Sequence, residues 1–178
     1  RGVRVFVISR EINISDPGTI TAIRVGNTLE ALQKLAAFHR ARFHFPVIGI
    51  TGSNGKTVIK EWLYDILSGF FSIVRSPKSY NSQVGVPLSV WHIGTENSLG
   101  IFEAGISKPG EMEKLEKIIR PDIGVFTNIG DAHQENFASV EQKINEKLKL
   151  FERSKKLVFC ADHVASEALV RRFCSEKG

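Results

Sequence analysis

Residues 49–57, GITGSNGKT, combine the residue types and spacing that a phosphate group requires. Glycines let the backbone come close to phosphate oxygens, and successive N–H groups in such a turn form an anion-binding nest. Lys56 is placed to reach the β- and γ-phosphates of a nucleotide, and the Thr57 hydroxyl to ligate Mg²⁺. The general pattern G-x-x-x-x-G-K-[ST] asks for glycine at position 50, where Ile50 stands, so a glycine-rich turn with a chance Gly-Lys-Thr is the ordinary alternative. Glu103 ends the apolar run LGIFEAG and suits a Mg²⁺ held directly or through water; otherwise it caps the loop that follows. His133 lies in TNIGDAHQENF, just past another apolar run, where a metal or phosphate role competes with that of a solvated loop histidine. Asn81, in SPKSYNSQVGVPLSVW, is a further polar candidate, balanced against an ordinary loop leading into a helix with Pro87 at its start.

These residues need a frame that brings them to one edge, and the hydrophobic periodicity supplies one. Strands are expected at Val3–Ser9, at VIGIT (47–51), FFSIVRS, LGIFEAG, DIGVFTNIG and KKLVFCA. Helices are expected over Thr28–Phe43 with Thr28 as N-cap, and over KTVIKEWLYDIL, PGEMEKLEKII with Pro109 near its first turn, SVEQKINEKLKLFE and DHVASEALVRRF. Strands alternating with helices of this length specify an α/β fold: a mostly parallel P-loop-type sheet with helices on both faces. Ligands of such a sheet bind beyond the carboxyl ends of its strands, where the loop at 49–57, Glu103 and His133 all fall.

Composition narrows the class of function. The chain has 178 residues, 42% hydrophobic and 24% charged, which excludes collagen-like and low-complexity architectures. No run approaches the ~18 apolar residues of a membrane span, and the first ten residues lack the features of a signal peptide. Two cysteines, Cys160 and Cys174, are too few for a disulfide scaffold and suit a reducing, cytoplasmic setting. The net charge of +5 comes from 24 Lys and Arg interleaved with 19 Asp and Glu, without a basic arm or an aromatic stripe, so no nucleic-acid partner is expected. His39, His44, His92 and His163 lack a motif and read as structural or surface residues.

Taken together the motifs resemble the Mur ligase family, ATP-dependent amide-forming enzymes of peptidoglycan synthesis. That family's loop reads Thr-Gly-x-Asn-Gly-Lys-Thr, matched here by Thr51, Gly52, Asn54, Gly55, Lys56 and Thr57, which accounts for Ile50. FEAGISKPGEM looks like the family's acidic strand-end motif and TNIGDAHQENF like its histidine motif. Their pairing, with the Gly-Val-Pro-Leu stretch at 85–88, is similar to the branch that joins D-alanyl-D-alanine to a UDP-N-acetylmuramoyl-tripeptide. The resemblance covers roughly Val47 to Asp162.

The resemblance implies that 51–57, including Ser53, hold ATP, and that Lys56, Glu103, His133 and Lys147 carry the catalysis. Lys147, four residues before Phe151, matches the lysine that such ligases commonly carry as a carbamate; an ordinary solvated helix lysine is the alternative. Two Mg²⁺ ions are implied, one with Thr57 and Glu103, a second near His133, Glu103 and modified Lys147, and Asn81 is a candidate contact for the acyl substrate. By the same resemblance, residues 1–45 are the tail of a UDP-substrate domain with a connecting helix, 46–178 are a truncated ATP-binding domain, and a C-terminal domain is absent. The chain alone is then expected to bind nucleotide without ligating. The segment FHRARFHFPVIGITGSNGKT looks like forms fused to an alanine racemase. A small P-loop metabolite kinase, a folylpolyglutamate-synthase-like ligase and a non-catalytic nucleotide-binding module are the rival readings.

Overall fold

The computed structural model describes residues 2–11, 13, 18, 20–130 and 134–176, without the side chains of 164 and 165. A first pair of short strands, β1 (Val5–Ile8) and β2 (Thr21–Arg24), forms a two-stranded parallel sheet whose residues are mostly exposed. Helix α1 (Thr28–Arg40) follows. The main sheet contains β3 (Val47–Thr51), β4 (Ile73–Arg75), β5 (Leu99–Glu103), β6 (Ile123–Phe126) and β7 (Lys156–Phe159), all parallel, in the order β4-β5-β3-β6-β7. Between them run α2 (Lys56–Leu67), α3 (Gly85–Val90), α4 (Met112–Ile119) and α5 (Val140–Leu148), and α6 (Val164–Ser175) follows β7.

The sheet is parallel because each strand is joined to the next by a crossover long enough to hold a helix. β3 and β5 are buried along their whole length, which is why VIGIT and LGIFE read as continuous apolar runs rather than alternating ones. On one face, Ile48, Ile50, Leu99 and Ile101 pack under Ile59, Leu63 and Leu67 of α2. The larger core lies on the other face, where α1, α3, α4 and α5 contribute Ala36, Val86, Leu115, Ile118 and Ile144. β3 is central, and the chain turns to one side of it through β4 and β5 and to the other through β6 and β7. This reversal opens a crevice at the carboxyl end of β3, the place where an open α/β sheet binds ligands.

One close contact marks where the chain leaving α5 meets the sheet. Gly124 in β6 lies directly beneath the Phe151 ring, and a Cβ there would come within 2.4 Å of Phe151 Cδ1. A 3₁₀ turn over Lys149–Phe151 ends α5 and delivers that ring.

The structure departs from the sequence expectations in four places. The N-cap of α1 is Asn27, not Thr28: its Oδ1 accepts from the Leu29 and Glu30 N–H groups at 2.9 and 3.1 Å. An asparagine preceding the threonine satisfies the free donors first. Strand β2 falls in a stretch too short and mixed to stand out from its neighbours. β4 is only three residues long. α4 begins at Met112, after Pro109 rather than around it, because Glu111 turns its carboxylate back onto the Ser107 and Lys108 N–H groups at 2.7 and 3.0 Å. Among the described residues no helix is long and apolar enough to cross a membrane.

Candidate functional site

The phosphate-binding loop joins β3 to α2 and is braced from the side by the segment after β6. Ser53 N–H donates to Asn128 O at 2.8 Å, Asn54 N–H to Asn128 Oδ1 at 3.0 Å, and Thr127 Oγ1 to Asn54 O at 2.6 Å. Ser53 Oγ donates to Gly130 O at 3.2 Å. This corrects the simplest nest reading: the Ser53 and Asn54 N–H groups are held by Asn128 rather than standing open in the loop. Open donors come instead from the first turn of α2, at Lys56, Thr57 and Val58, whose N–H groups have no acceptor within the helix. Gly55, at φ +79°, turns the chain into that helix. Thr51 is fully buried, and its hydroxyl donates to Ala104 O at 2.9 Å, tying the loop's root to β5.

Gly52 is the tightest point of the loop. Its φ is +148°, and a Cβ there would lie 1.9 Å from Thr127 Oγ1. Gly52→Ala is therefore expected to lower stability by about 1–3 kcal/mol through strain and overpacking, and to weaken nucleotide binding with it. Urea unfolding and a nucleotide titration of the same variant measure the two effects.

Glu103, at the end of β5, is fully buried beside this loop. Thr57 Oγ1 donates to its Oε2 at 2.9 Å, and Asn81 Nδ2 to its Oε1 at 3.3 Å. The structure thus brings Thr57, Glu103 and Asn81 together although 46 and 22 residues separate the partners of these two bonds. A carboxylate and a hydroxyl at the mouth of a phosphate loop are hard oxygen donors, the kind that suit Mg²⁺. Among the described residues no three His, Cys, Asp or Glu side chains cluster as a metal site.

Lysines surround the loop. Lys56 Nζ donates to Gly52 O at 3.0 Å and Ser53 O at 3.1 Å, and burial pulls it below the ordinary lysine value while Glu103 partly offsets this. Lys147, on α5, is 3% exposed and donates to the same Gly52 carbonyl at 3.1 Å. Burial, with the charges of Lys56 and Lys143 added, brings Lys147 down to about 7. Lys143, one turn earlier, donates to Gly130 O at 2.6 Å and Gln134 Oε1 at 3.4 Å. Lys149 instead faces outward and pairs with Glu113 at 2.7 Å and Glu146 at 2.9 Å. Of the four residues expected to carry catalysis, Lys56, Glu103 and Lys147 meet around the loop, and His133 lies outside the described residues. His39 is structural, stacked on Trp91 with its Nε2 3.0 Å from Ile93 O.

Sequence reasoning missed three contributors. Asn128 stood in a motif singled out only for its histidine, and its place beside β3 follows from the β3–β6 pairing. Lys143 lies one turn before Lys147, outside the four-residue interval to Phe151 that the resemblance marks, and so carries no motif signal. Lys60 carried no signal beyond its position on an amphipathic helix, yet its side chain is completely buried.

Residues 50–177 match the family model described as the Mur ligase middle domain. The chain is 36% identical over 155 residues to the UDP-N-acetylmuramoyl-tripeptide–D-alanyl-D-alanine ligase of Borreliella burgdorferi, covering 84% of this chain and 33% of that protein. It is 38% identical over 130 residues to the ligase of the same name from Treponema pallidum, covering 72% of this chain and 28% of that protein. The solved structure of the MurF ligase from Thermotoga maritima in complex with ADP superposes with a TM-score of 0.83 at 31% identity, over 96% of this chain and 40% of that one. The chain thus spans about a third of the length of the curated relatives it matches. Matched by that family model over most of its length and by relatives more than 30% identical, this chain belongs to the Mur ligase family, and its residues 50–177 are a middle domain of that family.

Proposed function

We propose that the protein to which this chain belongs is an ATP-dependent amide ligase of peptidoglycan precursor synthesis, joining D-alanyl-D-alanine to UDP-N-acetylmuramoyl-tripeptide. The observation that carries this reading is the meeting of Lys56, Lys147 and the Thr57–Glu103 pair on one phosphate loop. A kinase needs the loop and the cation but has no use for a second, near-neutral lysine behind it. The names of the relatives support the same chemistry.

In this reading the first turn of α2 and Lys56 bind the β- and γ-phosphates, and the tripeptide carboxylate attacks the γ-phosphorus to give an acyl phosphate and ADP. The amine of D-alanyl-D-alanine then adds to the acyl carbon, and the tetrahedral species collapses to amide and phosphate. Both steps bring anions together, so the residues must spread positive charge over the transferring group. Thr57 and Glu103 would hold one Mg²⁺; carbamylated Lys147, with His133 and Glu103, would hold a second. Such ions supply charge neutralisation on the phosphate and acyl oxygens. Asn81, whose amide donates to Glu103, would contact the acyl substrate. Residues 46–178 are the ATP-binding unit and 1–45 the tail of a UDP-substrate domain with its connecting helix. Other domains of the intact protein complete the site in the cytoplasm. Likeness of the segment around 38–57 to racemase-fused forms carries the further reading of an attached alanine racemase.

Phosphate release by the intact protein tests the proposal: it is expected to require ATP, the tripeptide and D-alanyl-D-alanine together. Phosphorylation of a free metabolite without amide formation would overturn it in favour of a kinase. Glu103→Gln, which keeps shape and removes charge, is expected to raise the Mg²⁺ concentration for half-maximal activity by on the order of a hundredfold.

A further inference from the structure

Lys60 lies one turn along α2 from Lys56, and its side chain is wholly buried. Its ammonium donates to Ser76 O at 2.8 Å and to Lys78 O, and pairs with Glu61 Oε1 at 3.1 Å. Glu61 in turn holds Arg75 of β4 at 2.9 Å. Lys60 therefore grips the start of the loop 76–81 that leaves β4. Lys78, whose carbonyl it binds, sits at φ +49°, a left-handed conformation that a residue with a side chain adopts only when its surroundings hold it there.

That loop reaches the candidate site at two points. Ser76 Oγ accepts the Glu103 N–H at 3.2 Å, and Asn81 Nδ2 donates to the Glu103 carboxylate at 3.3 Å. Its far end is fastened by Gly105 N–H on Asn81 O at 2.8 Å. A buried ammonium bound to backbone carbonyls is a poor way to gain stability, since an apolar side chain would fill the space without desolvating a charge. What the ammonium adds is directional: two carbonyls of an otherwise irregular loop must point at one atom.

We propose that Lys60 is a positioning residue for the acyl-substrate side of the site, acting through the loop 76–81 to set Asn81 against Glu103. This rests on the ligase reading above. In the intact protein, Lys60→Met keeps the length of the side chain and removes its donors. It is expected to raise the KM for the UDP-linked tripeptide by about tenfold or more while the KM for ATP stays within about twofold. Asn81→Ala is expected to do the same, and the double variant to be no worse than the poorer single one, because both act through one element. Lys60→Gln, which retains two N–H donors, should fall between wild type and Lys60→Met, and serves if the methionine variant folds poorly. Equal changes in both KM values, or effects of Lys60→Met and Asn81→Ala that add, would overturn the assignment.

Hydrogen exchange separates this proposal from the ligase reading. Amides of 76–81 are expected to exchange about tenfold faster or more in Lys60→Met, with those of α2 unchanged. If the wild-type protein releases no tripeptide-dependent phosphate, the ligase reading fails, and the exchange pattern alone decides whether Lys60 holds the loop. Unchanged exchange over 76–81 overturns that too.

Discussion

Lys56→Ala is expected to lower kcat for phosphate release by about a thousandfold in the intact protein, with a much smaller effect on nucleotide affinity. The asymmetry follows from where the charge is needed. First-turn amides of α2 and the oxygen donors Thr57 and Glu103 remain to bind the nucleotide in its ground state. Lys56 matters most when charge builds on the transferring phosphoryl group, and an interaction made only then appears in kcat. Arginine should not substitute, because its longer, planar guanidinium cannot take the compact place of an ammonium held within the loop by Gly52 O and Ser53 O. The variant should also remain folded. Gly52 O keeps Lys147 as a donor, and removing Lys56 relieves one of the charges that disfavours the protonated form of Lys147. An unchanged or raised melting temperature together with lost turnover identifies Lys56 as catalytic; parallel loss of both would mean that it acts through the fold.

The second large effect is expected at Lys147. With its pKa held near 7 by burial and by Lys56 and Lys143, a substantial fraction of this amine is neutral at physiological pH and can add to CO₂, releasing a proton and leaving a carbamate. On the proposed reading that modification would turn a cation beside two other cations into an anion, so that its interactions with Lys56 and Lys143 change from repulsive to attractive. Lys147→Ala is expected to lose on the order of a hundredfold or more in turnover, with partial recovery in the presence of a short carboxylic acid that takes the carbamate's place. Lys147→Arg stays charged and should not recover. A kinase would be indifferent to all three conditions.

The same shift gives a stability signature in CO₂-free buffer. Because the folded value, about 7, lies below the unfolded one of 10.5, the unfolded chain binds more protons between these limits. This residue's contribution therefore makes stability rise as pH increases from about 7 to 10.5, and makes it flat below. Urea unfolding of wild type and Lys147→Met across that range measures it: wild type should gain stability relative to the variant as pH rises from about 7 to 10.5.

Much of this frame was legible in the sequence for a physical reason. β3 and β5 are buried along their whole length, so their identity does not depend on which face is up, and α2 follows a loop whose glycines mark its start. Lys56, Thr57 and Glu103 sit at strand or helix ends, and a parallel sheet gathers such ends at one edge whatever its strand order. The illegible parts depend on side chains meeting backbone far away in sequence. Lys60 finds its carbonyl acceptors 16 and 18 residues on, Lys147 finds its own 95 residues back, and Asn128 reaches the loop across 74. No local pattern encodes such distances. The α1 cap was misplaced by one residue because Asn27 and Thr28 are both good caps, and only geometry decides between neighbours.

The Phe151 ring resting on Gly124 has a bearing on how these proteins diverge. Neither residue can change freely: a side chain at 124 meets the ring, and a smaller residue at 151 leaves a hole beneath α5. The two positions are expected to vary as a pair among relatives, with a larger residue at one accompanied by a smaller one at the other. The four-residue interval from Lys147 to the aromatic then works as a ruler. Descent can alter the amino acids at its ends together, but shortening or lengthening it would withdraw the lysine from the carbonyl of Gly52.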